Sequence, residues 1–495
     1  MKTTIFLLTI FLFMSTALSS SMRIVEMRSE KSPIITFRIQ FRTGSINDVK
    51  GKEGINAFTA YLIAQGGTQE LTYKQVIDKL YPWATQIDVV ADKEVTTFIG
   101  ETHRDHLDNF YKIFSDLILH PRFDVEDYNR LKEDGMNYLK TTLRGTNDEE
   151  LGKQAMQGML YENHPYGWTN VGTVQGITAT TLEDIKVFYK TNYTQANLTI
   201  GIAGGYSKGL LERMKKDFAS LPEGKNNVVE LPKANPINDL EVTIVDKQSI
   251  ATAISVGFPV SVTRADKDFY ALMVANSYFG EHRTFNGVLM NKIRGERGIN
   301  YGDYSYAENF IQDGGTRFML PCVPRRQQFF SIWIRPTKPE DAHFSLREAI
   351  RELKKLCENG LTKEQFETTR DFLMNYSKLW VQTQNRRLGF ELDSKFYNTE
   401  FFVDRLEKEL KSMTVKDVND VIKKHLQFKN AKVAIVAGNA NELKEKILTN
   451  AESPIKYASK VPDAILEEDK DIVNHLLNIN KGAIKIVPVN ALFEK

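Results

Sequence analysis

The chain is poor in cysteine. Cys322 and Cys357 are the only two in 495 residues, too few for the cross-linked framework of a small secreted fold, and two buried free thiols are expected. Charge of either sign is not in excess: Lys+Arg 65 stand against Asp+Glu 63, with no basic tract or acidic tail, which argues against nucleic acid as a partner. Beyond the first residues no long apolar run occurs, so no later segment is expected to cross a membrane. Gly-x-Ser-x-Gly, phosphate-loop and dinucleotide signatures are absent, which removes the chemistries they serve. His103 and His106 have the spacing to share a helical face, but no further histidine or cysteine stands near to complete a metal site.

What is present begins with a leader. Lys2 precedes an apolar run from Ile5 to Met14, and Ala17-Leu18-Ser19 offers small residues for cleavage before Ser20. Residues 1–19 are therefore expected to be a signal peptide, with a periplasmic or secreted protein and no membrane contact after its removal; a retained short anchor is the alternative. The sequons at Asn192, Asn197 and Asn375 matter only in a host that glycosylates secreted proteins. The length exceeds what one core holds, so two or more domains are expected.

The order of parts occurs twice. Residues 34–41 alternate as a strand, 72–80 read as a helix, and 87–100 carry strand residues around an Asp92-Lys93 turn. A helical stretch starts near His106, breaks at Pro121 and restarts at Val125. Phe123-Asp124-Val125-Glu126-Asp127-Tyr128 then matches Leu361-Thr362-Lys363-Glu364-Gln365-Phe366, and Met136-Asn137-Tyr138 meets Met374-Asn375-Tyr376. Thr181-Leu182-Glu183-Asp184-Ile185 matches Thr414-Val415-Lys416-Asp417-Val418, each a threonine N-cap opening a helix. Each is followed by an asparagine (Asn197, Asn430), a hydrophobic strand and a glycine (Gly205, Gly438). The expectation is two homologous α+β halves, 20–220 and 240–445, joined by a Pro- and Gly-bearing linker, 221–239. A C-terminal extension, 446–495, holds a helix-like piece at 466–477 and a strand at 483–489.

One stretch carries the functional argument: Gly54-Ile55-Asn56-Ala57-Phe58-Thr59-Ala60-Tyr61-Leu62-Ile63-Ala64-Gln65-Gly66-Gly67-Thr68. Ile55, Phe58, Leu62 and Ile63 make an apolar helical stripe, Ala57, Ala60 and Tyr61 lie together on the other face, and Gly66-Gly67 stop the helix. The layout resembles the helix of the inverted-motif zinc metallopeptidases (insulinase, pitrilysin, mitochondrial processing peptidase), Gly-Leu-x-His-x-x-Glu-His running on to Gly-Thr, which holds zinc on two histidines with the glutamate as base. Ala57 and Tyr61 stand where the histidines belong and Ala60 where the glutamate belongs. A methyl group has no lone pair for a cation and no proton to exchange, so this degenerate zinc helix (54–66) is expected to be a packing element. The family's third ligand falls nearest Asn137, with Glu133, Glu149 and Glu150 nearby, and no metal role is assigned there.

The resemblance covers about residues 30 to 445. It implies a clam-shell of two halves, each a mixed, mostly antiparallel sheet with helices packed on one face. His164-Pro165-Tyr166-Gly167 with Gly172-Thr173 is similar to a structural turn of the family. Lys292-Ile293-Arg294-Gly295-Glu296-Arg297-Gly298-Ile299-Asn300-Tyr301 resembles the segment whose arginine and tyrosine hold substrate backbone, which maps those roles onto Arg294 and Tyr301. Gly295 and Asn286-Gly287-Val288 depart from the family pattern. Read from residues alone, Arg294 and Arg297 are also compatible with cations at a helix C-terminus, and Tyr301 with an ordinary strand aromatic. The resemblance therefore implies a non-catalytic, peptide-binding subunit that binds no cofactor itself. The zinc would sit in a homologous partner chain, and a peptide would be the substrate. A purely structural module, like the non-proteolytic core subunits of the respiratory cytochrome complex, is the alternative.

Overall fold

The computed structural model describes residues 22–225, 228–311, 317–457 and 459–495; the expected leader lies outside them. In the first half, β1 (Arg23–Arg28), β2 (Ile34–Phe41), β3 (Ile87–Ala91), β4 (Thr96–His103) and β5 (Leu198–Gly204) form a sheet in the order β1-β5-β2-β4-β3. In the second, β6 (Leu240–Asp246), β7 (Thr252–Val260), β8 (Asp303–Tyr306), β9 (Gln328–Thr337) and β10 (Ala431–Ala437) repeat that order strand for strand as β6-β10-β7-β9-β8. The first and last strands of each half pair parallel, and the other neighbours pair antiparallel. The extension adds β11 (Ile484–Pro488) parallel to β6. Its helix is Asp463–Val473, a few residues earlier than the charge pattern suggested.

Strand β2 shows why the halves cohere. Ile35, Phe37, Ile39 and Phe41 point into the core of the first half, Phe37 against Phe110, Tyr111 and Phe114. Alternation puts Thr36, Arg38 and Gln40 on the opposite face, yet these are buried too. The helix Gln384–Phe396 of the second half covers them: Arg38 Nε donates to Asn385 Oδ1 at 2.9 Å, and Gln384 Nε2 donates to Thr36 Oγ1 at 2.9 Å. The exchange is reciprocal. Helix Asp148–Leu160 of the first half lies on β7 and β10, its Leu151, Ala155 and Met156 sharing one cluster with Val245, Ala253 and Val436.

A buried ion pair fastens the same junction. Arg325 grips Asp92 with two bonds of 2.8 Å, and both side chains are inaccessible. Burial alone would raise the Asp92 carboxyl, but Arg325 holds it below its ordinary value. Next to it Arg326 pairs with Glu94, which also accepts from the Tyr166 hydroxyl. The linker is tied down as well, the Pro232 carbonyl accepting from His164 Nε2 at 2.9 Å and from Gln327 Nε2 at 2.6 Å. Both repeated caps form: Thr181 with Asp184, and Thr414 with Asp417, exchange reciprocal bonds at their helix starts.

Several local expectations are corrected. The helix Ile55–Gln65 is buried nearly all round rather than on one stripe, because it is wedged between β3 and the helices Val125–Asn137 and Leu182–Asn192. His103 ends β4 and its Nδ1 accepts from Asp105 N, while His106 stacks on Trp83, so the two imidazoles share no helical face. Cys322 and Cys357 are free thiols, the first buried and the second half-buried. Asn192 and Asn197 are buried, leaving Asn375 as the exposed sequon asparagine. Among the described residues no helix is long and apolar enough to cross a membrane.

Candidate functional site

The helix Ile55–Gln65 starts from an unusual cap. Gly54 adopts φ 104° and the Asp48 carboxylate, six residues earlier, accepts from Gly54 N at 2.8 Å, Asn56 N at 2.9 Å and Trp168 Nε1 at 2.9 Å. Burial pushes Asp48 up to about 7 against those donors. Gly172, at φ 101°, packs on the same point, where a Cβ would come within 2.0 Å of the Glu53 carbonyl oxygen. That contact explains Gly172-Thr173 as a brace for the helix start. His164 likewise acts inside its own turn, its Nδ1 accepting from Tyr166 N at 2.9 Å.

Beside the helix opens a cavity of about 520 Å³. Ala57, Phe58 and Tyr61 form one wall, and Val89, Val90 and Ala91 of β3 form a second. Among the described residues strand β3 is the sheet edge on that side, paired only with β4. A third wall comes from Leu131, Asp134, Gly135 and Tyr138. Helix Val125–Asn137 passes there into a π-helical stretch, Tyr138–Thr146, and such wider turns often mark functional positions. Of the positions near the family's third ligand, Asn137 is exposed, whereas its neighbour Tyr138 and Glu150 line the cavity. Ala60 is fully buried and does not line it, so of the three degenerate positions only Ala57 and Tyr61 reach the opening.

These residues do not fit a catalytic zinc. Ala57 offers no donor atom. Burial raises the Tyr61 phenol, and burial with Glu150 and Tyr61 nearby pushes Tyr138 up to about 12, so both hydroxyls keep their protons. The nearby carboxylates are engaged: Glu150 accepts from Gln154 Nε2 at 2.8 Å and Asp134 faces Arg130 at 3.6 Å. A second acidic group, Glu348, Glu352 and Glu468, is already neutralised by Arg297, Arg351, Lys292 and Lys355.

Arg294 and Tyr301 lie elsewhere, on the surface of the second half. Residues Met290–Gly295 form a π turn, and Gly298 at φ 65° returns its N–H to the Arg294 carbonyl at 2.8 Å. The two nearby arginines have separate fates. Arg297 turns inward, its guanidinium bound to Asp469 at 2.8 Å, Glu468 at 3.0 Å and the Lys292 carbonyl at 2.8 Å. Arg294 stays at the surface over Phe285, 5.2 Å from the ring centroid, and Phe285 is itself 66% exposed. Tyr301, 80% exposed, precedes β8 instead of opening it; the aromatics inside that strand are Tyr304 and Tyr306.

A family model described as "Insulinase (Peptidase family M16)" matches residues 23–163, and one described as "Peptidase M16 inactive domain" matches residues 179–373. The chain belongs to the M16 insulinase family. Within it, the chain is similar to a protein of Helicobacter pylori named "Non-peptidase homolog YmxG", 23% identical over 418 residues, 84% of this chain and 90% of that protein. The crystal structure of a peptidase M16 inactive domain from Pseudomonas fluorescens superposes with a TM-score of 0.73 at 19% identity, covering 84% of this chain and 96% of that one. The periplasmic protease PqqL from Escherichia coli superposes with a TM-score of 0.64 at 16% identity. It covers 92% of this chain, but this chain spans only 49% of PqqL.

The M16 motif pattern located the degenerate helix but not the cavity. The missed signal is the sequence Leu131, Asp134, Gly135, Tyr138, an i, i+3, i+4, i+7 set that brings one helix face to the opening. The Arg325–Asp92 clamp between the halves could not be read either, since 233 residues separate its partners.

Proposed function

We propose that this M16 homologue is a non-catalytic, peptide-binding subunit of a heterodimeric zinc metallopeptidase, working in the periplasm or outside the cell. A homologous partner chain supplies the zinc and the general base. The observation that carries this reading is the division of features within one intact fold. Hydrocarbon occupies a histidine position, Ala57, and the glutamate position, Ala60, while a half-buried Arg294 and an exposed Tyr301 stand on a segment that Arg297 anchors from beneath. A guanidinium and a phenol held at a surface can donate to peptide carbonyls presented by another chain, and a charged donor of this kind contributes about 1.5–3 kcal/mol. The name of the Helicobacter pylori relative supports the absence of peptidase activity in this chain. Spanning about half of PqqL supports the idea of half a chamber completed by a second chain. The free edge of β3 adds a place where an extended peptide can pair through its main chain.

The test is reconstitution with a homologue that carries an intact zinc motif. The pair is expected to cleave peptides, and Arg294→Ala in this chain to lower turnover at least about tenfold, in line with the loss of one charged contact. The isolated chain is expected to cleave nothing. One tight zinc per isolated chain, with chelator-sensitive cleavage, would overturn the proposal. Unchanged turnover on Arg294→Ala would favour the structural module instead.

A further inference from the structure

Strand β2 ends at Phe41, and Arg42 continues its alternation onto the face that carries Arg38 and Gln40. The helix Gln384–Phe396 lies over that face, and the two arginines meet its opposite ends. Arg38 finds Asn385 at the start. Arg42 finds the ring of Phe396 at the end, its guanidinium 5.3 Å from the ring centroid. Stacking on a ring holds a cation in place without neutralising it. The half-buried Arg42 side chain makes no hydrogen bond or ion pair among the described residues.

Arg42 lines a cavity of about 260 Å³ where three parts of the chain meet. Ile46 and Glu94 come from the first half, Val228 from the linker, and Ala265, Arg326 and Phe396 from the second half. Glu94 is the one carboxylate among the described lining residues, and its oxygens are taken by Arg326 N at 2.7 Å, by Arg326 Nε and by the Tyr166 hydroxyl. Neighbouring carboxylates are engaged as well: Asp266 accepts from Thr263 N at 2.8 Å, and Asp92 is held by Arg325. Two guanidinium groups against one carboxylate leave the cavity with one unmatched positive charge. Burial lowers Arg42 from its ordinary value, Glu94 opposes that shift and Arg326 adds to it. A third arginine stands behind. Arg23 Nε donates to Thr199 Oγ1 at 3.2 Å, and burial followed by the Arg42 charge lowers it in turn.

We propose that this cavity binds a small organic carboxylate with an apolar body, the carboxylate on Arg42 and Arg326 and the body against Ile46, Ala265 and Phe396. One negative charge matches the one left over, and a planar carboxylate fits the paired donors of a guanidinium. A phosphate dianion would need a further free cation, and no lysine is among the described lining residues. Val228, 61% exposed, stands at the rim, so the space is open to a ligand from solvent. Because its walls belong to both halves and to the linker, a bound acid ties the three together and stabilises the fold by mass action. The site shares no residue with the cavity beside Ala57 and lies apart from Arg294 and Tyr301. It needs neither a peptide nor a partner chain, so it stands or falls separately from the subunit proposal.

The experiment is calorimetric titration of the full chain with hydrocinnamate and with its amide, which has the same body and no charge. The acid is expected to bind at least about tenfold more tightly, and to raise the midpoint of thermal unfolding where the amide does not. Arg42→Gln is expected to weaken the acid at least about tenfold and to leave the amide unchanged. Arg42→Lys, which keeps the charge but not the paired donors, is expected to fall between Arg42→Gln and the parent. Photolabelling of the unaltered chain with para-azidobenzoate is expected to mark residues lining the cavity and to be blocked by hydrocinnamate, so the test survives a variant that fails to fold. Equal binding of acid and amide, no binding of the acid, or tighter binding of inorganic phosphate than of the acid would each overturn the proposal. So would labelling confined to other surfaces, or a folded Arg42→Gln variant that binds the acid as the parent does.

Discussion

The two halves of this chain share a strand order but not the same use of it. Each carries a long helix at the matched repeat, and the second runs unbroken as Lys363–Trp380. The first is α-helical only over Val125–Asn137 and then widens into the π stretch Tyr138–Thr146. The helix after the second strand differs too. Lys267–Gly280 is packed into the main core of the second half, while Ile55–Gln65 presents Ala57 and Tyr61 to an open cavity. The half that holds the insulinase-model match thus has an irregular backbone and a hollow beside Ala57 and Tyr61. The second half, where most of the inactive-domain match falls, has a solid core and carries Arg294 and Tyr301 near its surface.

Breaking the joint between the halves is expected to have the largest effect. Arg325→Ala leaves Asp92 buried without its cation and should cost about 3–5 kcal/mol in urea unfolding, with Asp92→Ala comparably severe; a loss under about 1 kcal/mol for both would show that the halves hold together without the clamp. Next comes the hollow itself. Ala57→His with Tyr61→His and Tyr138→Glu restores a three-ligand set, and this triple variant is expected to bind zinc at least about a hundredfold more tightly than the same pair of histidines with Asn137→Glu. Equal affinities would contradict the assignment of Tyr138, not Asn137, to the cavity.

A smaller effect tests the inward anchor of the second half. Burial, with Glu352 alongside, pushes Glu348 up to about 7 despite Arg297 and Arg351. The native state then holds a proton that the unfolded chain releases near pH 4.5, so this group stabilises the fold at low pH and the contribution fades as pH rises toward 7. Glu348→Gln should therefore gain stability relative to the parent between pH 5 and pH 8, by more than about 1 kcal/mol; parallel pH profiles would refute the raised value. Glu468 behaves oppositely, held well below the usual range by Arg297, Arg351 and Lys292 although burial alone would raise it. The smallest effect compares the repeated caps: Thr181→Ala and Thr414→Ala should each lose about 1 kcal/mol, and a marked inequality would show that one cap is supported by other contacts.

Much of this was legible beforehand because it is local. Thr181 and Thr414 announce their helices through side-chain bonds to residues three positions on, and the hairpin at Asp92 lies between β3 and β4 as its residue types require. The degenerate helix was readable for the same reason, being a pattern of neighbours. The strand of the extension was visible from its alternation, but not that it would lie beside β6.

The amino-acid order by itself determined the element types, the duplication, and the absence of zinc ligands at Ala57, Ala60 and Tyr61, since each depends on residues within a few turns of one another. The tertiary structure alone decided which helix covers which sheet, that Arg297 turns inward while Arg294 stays at the surface, and that Tyr138 closes a cavity against Tyr61. Those outcomes depend on burial and on charges brought together across hundreds of residues, and neither is a property of a local pattern.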